Sequence, residues 1–358
     1  MVINSHIEMQ GKVEDATLLV VGQTWSSFKS TCELNQLPTD KIILFKSNRN
    51  SLYGKNLSFI EVWKLHKLLK KFDVIMTHQL YNYQNIYLVL LSKLNRKPFI
   101  LMPHGTMTKY QEKQHEIRKL FIDFLLFNSV KRNCSAIAVA TNIEHEQISL
   151  RFREKSKNIG IGFSTKNKMQ FERAEEDGRI TFAFMGRLAE VKRVDSTIAA
   201  FKIFTDNYPD SKLEIIGNGD KKVVEKLILL SKDVGLAKKI TFHGWLDPVE
   251  KIRVLQKCSF LVLNSANENF GIAAAEAQSL GIPVLVTKFV GYSEIVERYN
   301  SGFVVDSLDN NSLAVGMKKL AESNYRDLSQ KSFIAAKQLV WPEIIRNWIN
   351  LFEEQSQK

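Results

Sequence analysis

The chain has 358 residues, 44% hydrophobic and 25% charged, which excludes disordered and fibrous classes and suits two folded domains. Its charge is the unusual quantity: 50 Lys and Arg against 38 Asp and Glu give +12, with 25 basic and 13 acidic residues in 1–170 but 25 of each in 171–358. An excess confined to the first half points to an anionic neighbour there, whether a membrane surface, a nucleic acid or a phosphorylated substrate; solvated surface lysine is the plain alternative.

In chain order, short apolar runs predict strands at Thr17–Val21, Ile42–Phe45, Val74–Thr77, Phe99–Met102 and Ala136–Ala140, each followed by a helical pattern. The stretch 153–180 is polar and charged and reads as a linker. The pattern then repeats, with strands at Thr181–Met185, Lys212–Ile216, Ile240–His243, Phe260–Asn264, Val284–Thr287 and Gly302–Val305, and helices such as Val194–Asn207 and Lys221–Gly235. The fold class is α/β: two Rossmann-like, doubly wound domains in series, facing each other across a ligand cleft at the C-terminal ends of their strands.

Several chemistries drop out. Cys32, Cys134 and Cys258 lie about a hundred residues apart and match no zinc spacing, which fits a reducing cytoplasm. No apolar run approaches the roughly 18 residues of a bilayer span, and the first residues lack a secretory pattern, so a cytoplasmic or peripheral protein is expected. Neither half carries a Gly-x-Gly-x-x-Gly fingerprint or a Walker loop, which disfavours dinucleotide enzymes and P-loop hydrolases. An Asp-x-Asp pair is also absent, so no metal or other cofactor is expected.

Two constellations carry chemistry. In the first, a strand runs into Gly186-Arg187-Leu188 with Lys192 five residues beyond Arg187, the outline of an anion site in which a guanidinium fork and an ammonium meet phosphate oxygens. Solvated cations near a turn are the alternative. In the second, Asn267-Glu268-Asn269-Phe270-Gly271 precedes an Ala-rich helix ending at Gly281. The free N–H groups of that helix start favour an anion, while Glu268 before it and Glu276 inside it suit sugar or ribose hydroxyls. For Glu276 a helix-surface salt bridge is the alternative.

With these residues the chain resembles the retaining glycosyltransferases of family 4, the group 1 glycosyltransferases of GT-B fold. The match covers most of 180–350 through Gly186-Arg187-Leu188 with Lys192, Ile216-Gly217-Asn218-Gly219-Asp220, Phe242-His243-Gly244-Trp245, and Glu268 with Glu276 in a Glu-x7-Glu spacing. Pro103-His104-Gly105-Thr106 resembles the family's His-Gly turn, and Val340-Trp341-Pro342 its returning C-terminal helix. The resemblance implies an acceptor-binding domain at 1–165, a nucleotide-sugar domain at 166–338, and a helix at 339–358 packing back on the first domain. It implies that Arg187 and Lys192 bind the donor's diphosphate after Gly186, and that Glu276 holds the ribose. Glu268, Asn269, Phe270 and Gly271 would hold the hexose, Gly217 and Gly219 would border the nucleotide, and Trp245 and Leu246 would meet the base. His104 would act on the donor sugar as a catalytic group alongside Arg187, Lys192 and Glu268. Without the motif, His104 reads as a structural histidine after a strand, and His78 as a weaker candidate still. Two segments depart from the family: Gly22–Ser27, with one glycine after the first strand, and Ile159-Gly160-Ile161-Gly162-Phe163 in place of an Asn-Gly turn.

The implied activity is hexosyl transfer, with retention, from a UDP- or GDP-sugar to a hydroxyl of a growing glycan. The acceptor would be lipid-linked, in surface polysaccharide or lipopolysaccharide synthesis at the cytoplasmic face of the inner membrane. Basic amphipathic stretches at Trp63–Lys71 and Ile117–Phe121 suit an anionic membrane surface. The competing readings are another GT-B enzyme such as a nucleotide-sugar epimerase, and a basic nucleic-acid-binding protein. The latter lacks an aromatic stacking platform or a reader motif, so no nucleic acid partner is expected.

Overall fold

The computed structural model describes residues 17–21, 42–45, 47–51, 54–108, 127–162 and 179–357. The Gly22–Ser27 loop, Cys32, the Ile117–Phe121 stretch and 163–178 of the expected linker lie outside the described residues. Contacts divide the chain into two compact units, Met1–Ser164 with Trp341–Lys358, and Thr165–Val340.

In the first unit, β1 (Leu18–Val21) pairs in parallel with β2 (Ile42–Phe45). β3 (Ser47–Ser51) and β4 (Gly54–Leu57) make an antiparallel hairpin that hydrophobic patterning does not predict, because Ser47–Ser51 carries no apolar residue. α1 (Phe59–Leu69) starts at Ser58, whose side chain accepts from the Glu61 N–H, and buries Leu65 and Leu69. Then β5 (Ile75–His78), α2 (Tyr83–Leu94), β6 (Phe99–Met102), α3 (Asn128–Asn133), β7 (Ala136–Val139), α4 (Asn142–Gln147), α5 (Leu150–Arg153) and β8 (Ser156–Asn158) follow. β5, β6, β7 and β8 form a parallel sheet in that order. β6 and β7 are buried at every residue, as parallel strands covered on both faces must be. β8 corrects the linker reading: Ser156–Asn158 is an edge strand inside 153–180, hidden from patterning because it is Ser-Lys-Asn.

The second unit holds β9 (Thr181–Met185), α6 (Val194–Thr205), β10 (Lys212–Ile216), α7 (Lys221–Asp233), β11 (Ile240–Gly244), α8 (Pro248–Leu255), β12 (Phe260–Leu263), α9 (Ile272–Ser279), β13 (Val284–Thr287), α10 (Ser293–Tyr299), β14 (Gly302–Val305), α11 (Asn310–Glu322) and α12 (Tyr325–Lys337). Its sheet runs β11-β10-β9-β12-β13-β14, parallel throughout. That is the doubly wound order, which reverses direction between β9 and β12 and opens a crevice beyond their C-terminal ends. The central strands β9, β12 and β13 are fully buried, with Phe182 packed edge-on against Phe204 at 5.1 Å. α8 shows its start in sequence: Asp247 and Glu250 form a reciprocal capping box with Pro248 at the first helical position.

The last helix, α13 (Trp341–Ser356), belongs to the first unit and buries Trp341, Ile345 and Trp348 there. Gly162 faces it so closely that a Cβ would sit 2.4 Å from the Trp341 ring, which accounts for a glycine in the segment Ile159–Gly162. Among the described residues no helix is long and apolar enough to cross a membrane.

Candidate active site

The loops after β9, β10 and β11 are joined backbone to backbone. The Gly186 N–H donates to the Ile216 carbonyl at 3.0 Å, the Leu188 N–H to the Asn218 carbonyl at 2.8 Å, and the Gly217 N–H to the Gly244 carbonyl at 2.8 Å. A Cβ on Gly217 would lie 1.8 Å from the Gly186 carbonyl oxygen, and one on Gly219 would lie 2.1 Å from that of Leu188. Both positions therefore need glycine for close approach, and Gly217 also sits at φ 139. What these glycines do is hold the Gly186–Leu188 turn at the switch point.

Arg187 is exposed on that turn and has no ion pair among the described residues. A 3-10 turn, Glu190–Lys192, then brings Lys192 back toward the loop after β12. The Val191 carbonyl accepts from the Ala266 N–H at 2.9 Å, and the Lys192 ammonium pairs directly with the Glu268 carboxylate. Glu268 is fixed from its other side, its N–H donating to Phe289 at 3.0 Å and its carbonyl accepting from Gly291 at 2.9 Å. Burial, together with the neighbouring Arg187 guanidinium, pushes the Lys192 ammonium down to about 8, a pull that the Glu268 carboxylate opposes. Sequence reasoning named all three residues but not the Lys192–Glu268 contact, which spans 76 positions.

α9 starts immediately after Gly271, whose φ of 102 and contact with Val290, 2.8 Å from a would-be Cβ, both demand glycine. Phe270 is buried against Tyr292 edge-on at 5.8 Å and anchors the loop, while Asn269 is partly buried beside it. The N-cap is Gly271, which has no side chain to cap the helix, and the positive dipole end at this start favours an anion. Glu276 pairs with Lys251 of α8 at 2.8 Å, both partly buried. Trp245 is 74% exposed just beyond β11, with Leu246 half-buried. Asn264, at the end of β12, escaped sequence reasoning: it is fully buried and neither its amide nitrogen nor its oxygen has a partner.

His104 stands in the first unit, on the turn after β6, in left-handed backbone at φ 51 with Gly105 at φ 80. The buried Glu144 carboxylate clamps this turn, accepting the Gly105 N–H at 2.6 Å and the Ala140 N–H at 2.8 Å. Nε2 of His104 lies 2.8 Å from Nδ1 of His78 with the ring planes 15° from parallel, and His78 stacks on Trp348 at 6.5 Å. Burial pushes His104 down to about 4 and His78 to about 3, so both rings are neutral at pH 7. Among the described residues no three His, Cys, Asp or Glu side chains converge as a metal site.

The Glycosyl transferases group 1 family model matches residues 165–338. An uncharacterised glycosyltransferase of Methanocaldococcus jannaschii is 23% identical, over 79% of this chain and 75% of its own. The capsular polysaccharide biosynthesis glycosyltransferase CapM of Staphylococcus aureus is 24% identical over 67% of each chain. A D-inositol 3-phosphate glycosyltransferase of Corynebacterium jeikeium is 29% identical over 48% of this chain, and the matched part spans only 39% of that relative. In structure, Anabaena HepE, solved with UDP, aligns with a TM-score of 0.75 at 16% identity over 98% of this chain and 95% of its own. The lipopolysaccharide outer core galactosyltransferase WaaB aligns at 0.63 and 18% identity over 88% and 84%. The protein is thus a glycosyltransferase of GT-B fold, with a group 1 domain at residues 165–338.

Proposed function

We propose that the protein is a retaining hexosyltransferase that takes a hexose from a nucleoside-diphosphate sugar and gives it to a hydroxyl of a growing, lipid-linked glycan. The observation that carries the reading is the Arg187, Lys192 and Glu268 group at the switch point of the second sheet, beside the start of α9 at Gly271. In the reaction the bond from the anomeric carbon to the donor's β-phosphate oxygen breaks and a bond to the acceptor oxygen forms on the same face. The acceptor's proton passes to the departing phosphate. Arg187, Lys192 and the α9 N–H groups meet the negative charge that grows on that phosphate, so the step needs no metal ion. Glu268 and the backbone at Asn269–Gly271 take the hexose hydroxyls, Glu276 the ribose, Trp245 and Leu246 the base, and His104 the sugar near its reacting carbon. Gly217 and Gly219 support the phosphate turn and border the nucleotide. The complexes of HepE with UDP and with UDP-glucose support a nucleotide-sugar donor, and CapM and WaaB support a role in surface polysaccharide or lipopolysaccharide synthesis.

Thermal-shift titration against a panel of UDP- and GDP-sugars tests the donor, since a ligand that binds only the folded state raises the melting temperature. Stabilisation by one nucleotide class and release of its nucleoside diphosphate with an acceptor support transfer. Turnover of the sugar nucleotide to an isomer without acceptor would favour an epimerase, and salt-sensitive DNA binding with no sugar-nucleotide effect would favour a nucleic-acid binder. We place the enzyme peripherally on the cytoplasmic face of the membrane that carries its acceptor.

A further inference from the structure

A helix needs one apolar stripe to fold onto a core, and α1 has two. Leu65 and Leu69, with Val62 half-buried beside them, face the core of the first unit. Taken at 100° per residue, Phe59, Trp63, Lys67, Ile60 and Lys64 fall within about 140° on the opposite side, and Lys70 and Lys71 follow in the turn that ends the helix. That face is open: Phe59 is 86%, Ile60 64% and Trp63 52% exposed, and all four lysines are exposed. Three large apolar side chains left together in water at one helix end exceed the scattered exposure of an ordinary surface.

The face continues past α1. A groove of about 550 Å³, lined by His66, Lys70, Leu94, Asn95, Arg96 and Lys97, separates it from the end of α2, where Leu94 is 72% exposed. Residues 58–97 contain seven Lys and Arg against Glu61 and Asp73 as the only acids. Glu61 pairs with Lys64 at 3.2 Å, and Asp73 lies 3.8 Å from Lys97. Lys67 lies over the Trp63 ring at 3.6 Å, the arrangement of an amphipathic stem whose charge stays at the water boundary.

We infer that this face of α1, with the Leu94–Lys97 corner of α2, docks on an anionic lipid bilayer, Phe59, Ile60 and Trp63 entering the headgroup boundary and Lys64, Lys67, Lys70 and Lys71 meeting lipid phosphates. Charge complementarity selects the occupant. A second copy would set lysine against lysine, whereas a bilayer rich in anionic lipid offers negative charge and an apolar interior together. The inference deepens the proposed peripheral placement and rests on that reading for its biological sense, but its test needs neither donor nor acceptor.

Sedimentation with phosphatidylcholine vesicles, with and without phosphatidylglycerol, measures it directly. The protein should partition onto anionic vesicles, weaken as salt rises, and show blue-shifted tryptophan emission on binding. Each lysine near an anionic surface contributes about fivefold, so the Lys70→Glu, Lys71→Glu variant should lose at least roughly 25-fold. Phe59→Ser with Trp63→Ser should lose binding and the blue shift, with unchanged melting temperatures in both variants because all four sites are exposed. Equal partition on neutral and anionic vesicles, no partition, or binding indifferent to both variants would overturn the inference. So would a dimer in gel filtration that Phe59→Ser, Trp63→Ser converts to a monomer, which would make the occupant a second copy. Vesicle binding without sugar transfer would leave the docking face standing and remove the transferase placement instead.

Discussion

Raising the pH should weaken nucleoside-diphosphate binding through Lys192 alone. The free ammonium titrates at about 8 because burial and Arg187 disfavour its charge, and its side chain is only 16% exposed, so solvent screens the effect little. A diphosphate beside it favours the charged form and so raises the pH at which the ammonium is lost. Affinity should therefore be flat below about pH 8 and fall above it, with a limiting slope of about tenfold per pH unit. The same shift acts on folding with a defined sign. Charged Lys192 costs the native state stability at every pH below about 8, and that cost is relieved as pH rises from about 8 to 10.5, where the unfolded chain binds more protons. Calorimetric titration with UDP and GDP across this range measures both the affinity and the proton taken up, using buffers of different ionisation heat. Lys192→Arg is the control, since a guanidinium stays charged and should flatten the profile. A flat wild-type profile, or an equal slope in Lys192→Arg, would refute the assignment.

Arg187→Ala and Lys192→Ala should each cut transfer by two or more orders of magnitude and weaken nucleotide binding in a thermal-shift assay; unimpaired turnover in the double variant would remove both from the phosphate site. Glu268→Gln should lower transfer similarly and, by removing the carboxylate that supports the ammonium, move the Lys192-dependent fall in nucleotide affinity below pH 8. His78→Phe should keep the stack on Trp348 but lose the partner of His104 Nε2, lowering kcat about tenfold, whereas His78→Asn, which retains a polar group near Nδ1, should recover part of it. The two His sites should be non-additive in a double-mutant cycle. Because both imidazoles are pushed below the ordinary histidine value, the fold should lose stability as pH falls from about 6.5 toward 4, a loss that melting curves would show shrinking in His78→Phe. Gly217→Ala should destabilise by about 2–4 kcal/mol in denaturant unfolding, since its Cβ meets the Gly186 carbonyl. EDTA should leave transfer unchanged.

Strands buried on both faces were plain in the sequence. β6, β9, β12 and β13 coincide with apolar runs because nothing in them alternates. The polar β3 and β8 pair at edges or in a hairpin, where backbone hydrogen bonds and not side-chain burial define the strand, so periodicity missed them. The order of the second sheet was not readable either, since parallel strands of similar composition carry no label for their neighbours. Site residues were legible as types at spacings, and the structure adds which ones touch. Lys192 and Glu268, assigned to different parts of the donor, neutralise one another across 76 residues. Glu276 shows the salt bridge that its position on a helix also allowed, with Lys251 as a partner no local spacing announces. His78 gained weight only when the turn at φ 51 brought His104 against it. The opening charge asymmetry resolves in part into α1 and the turn after it, where Lys64, Lys67, Lys70 and Lys71 are exposed together with Phe59, Ile60 and Trp63.

The most direct measurement is the anomeric configuration of the product. The protein would be incubated with the nucleotide sugar that stabilises it and a glycan acceptor, and the new glycosidic linkage read by its anomeric proton coupling in NMR. A retaining transferase gives an α linkage from an α-linked donor, with one nucleoside diphosphate released per bond formed. An inverted linkage, or no transfer from any UDP- or GDP-sugar, would contradict it.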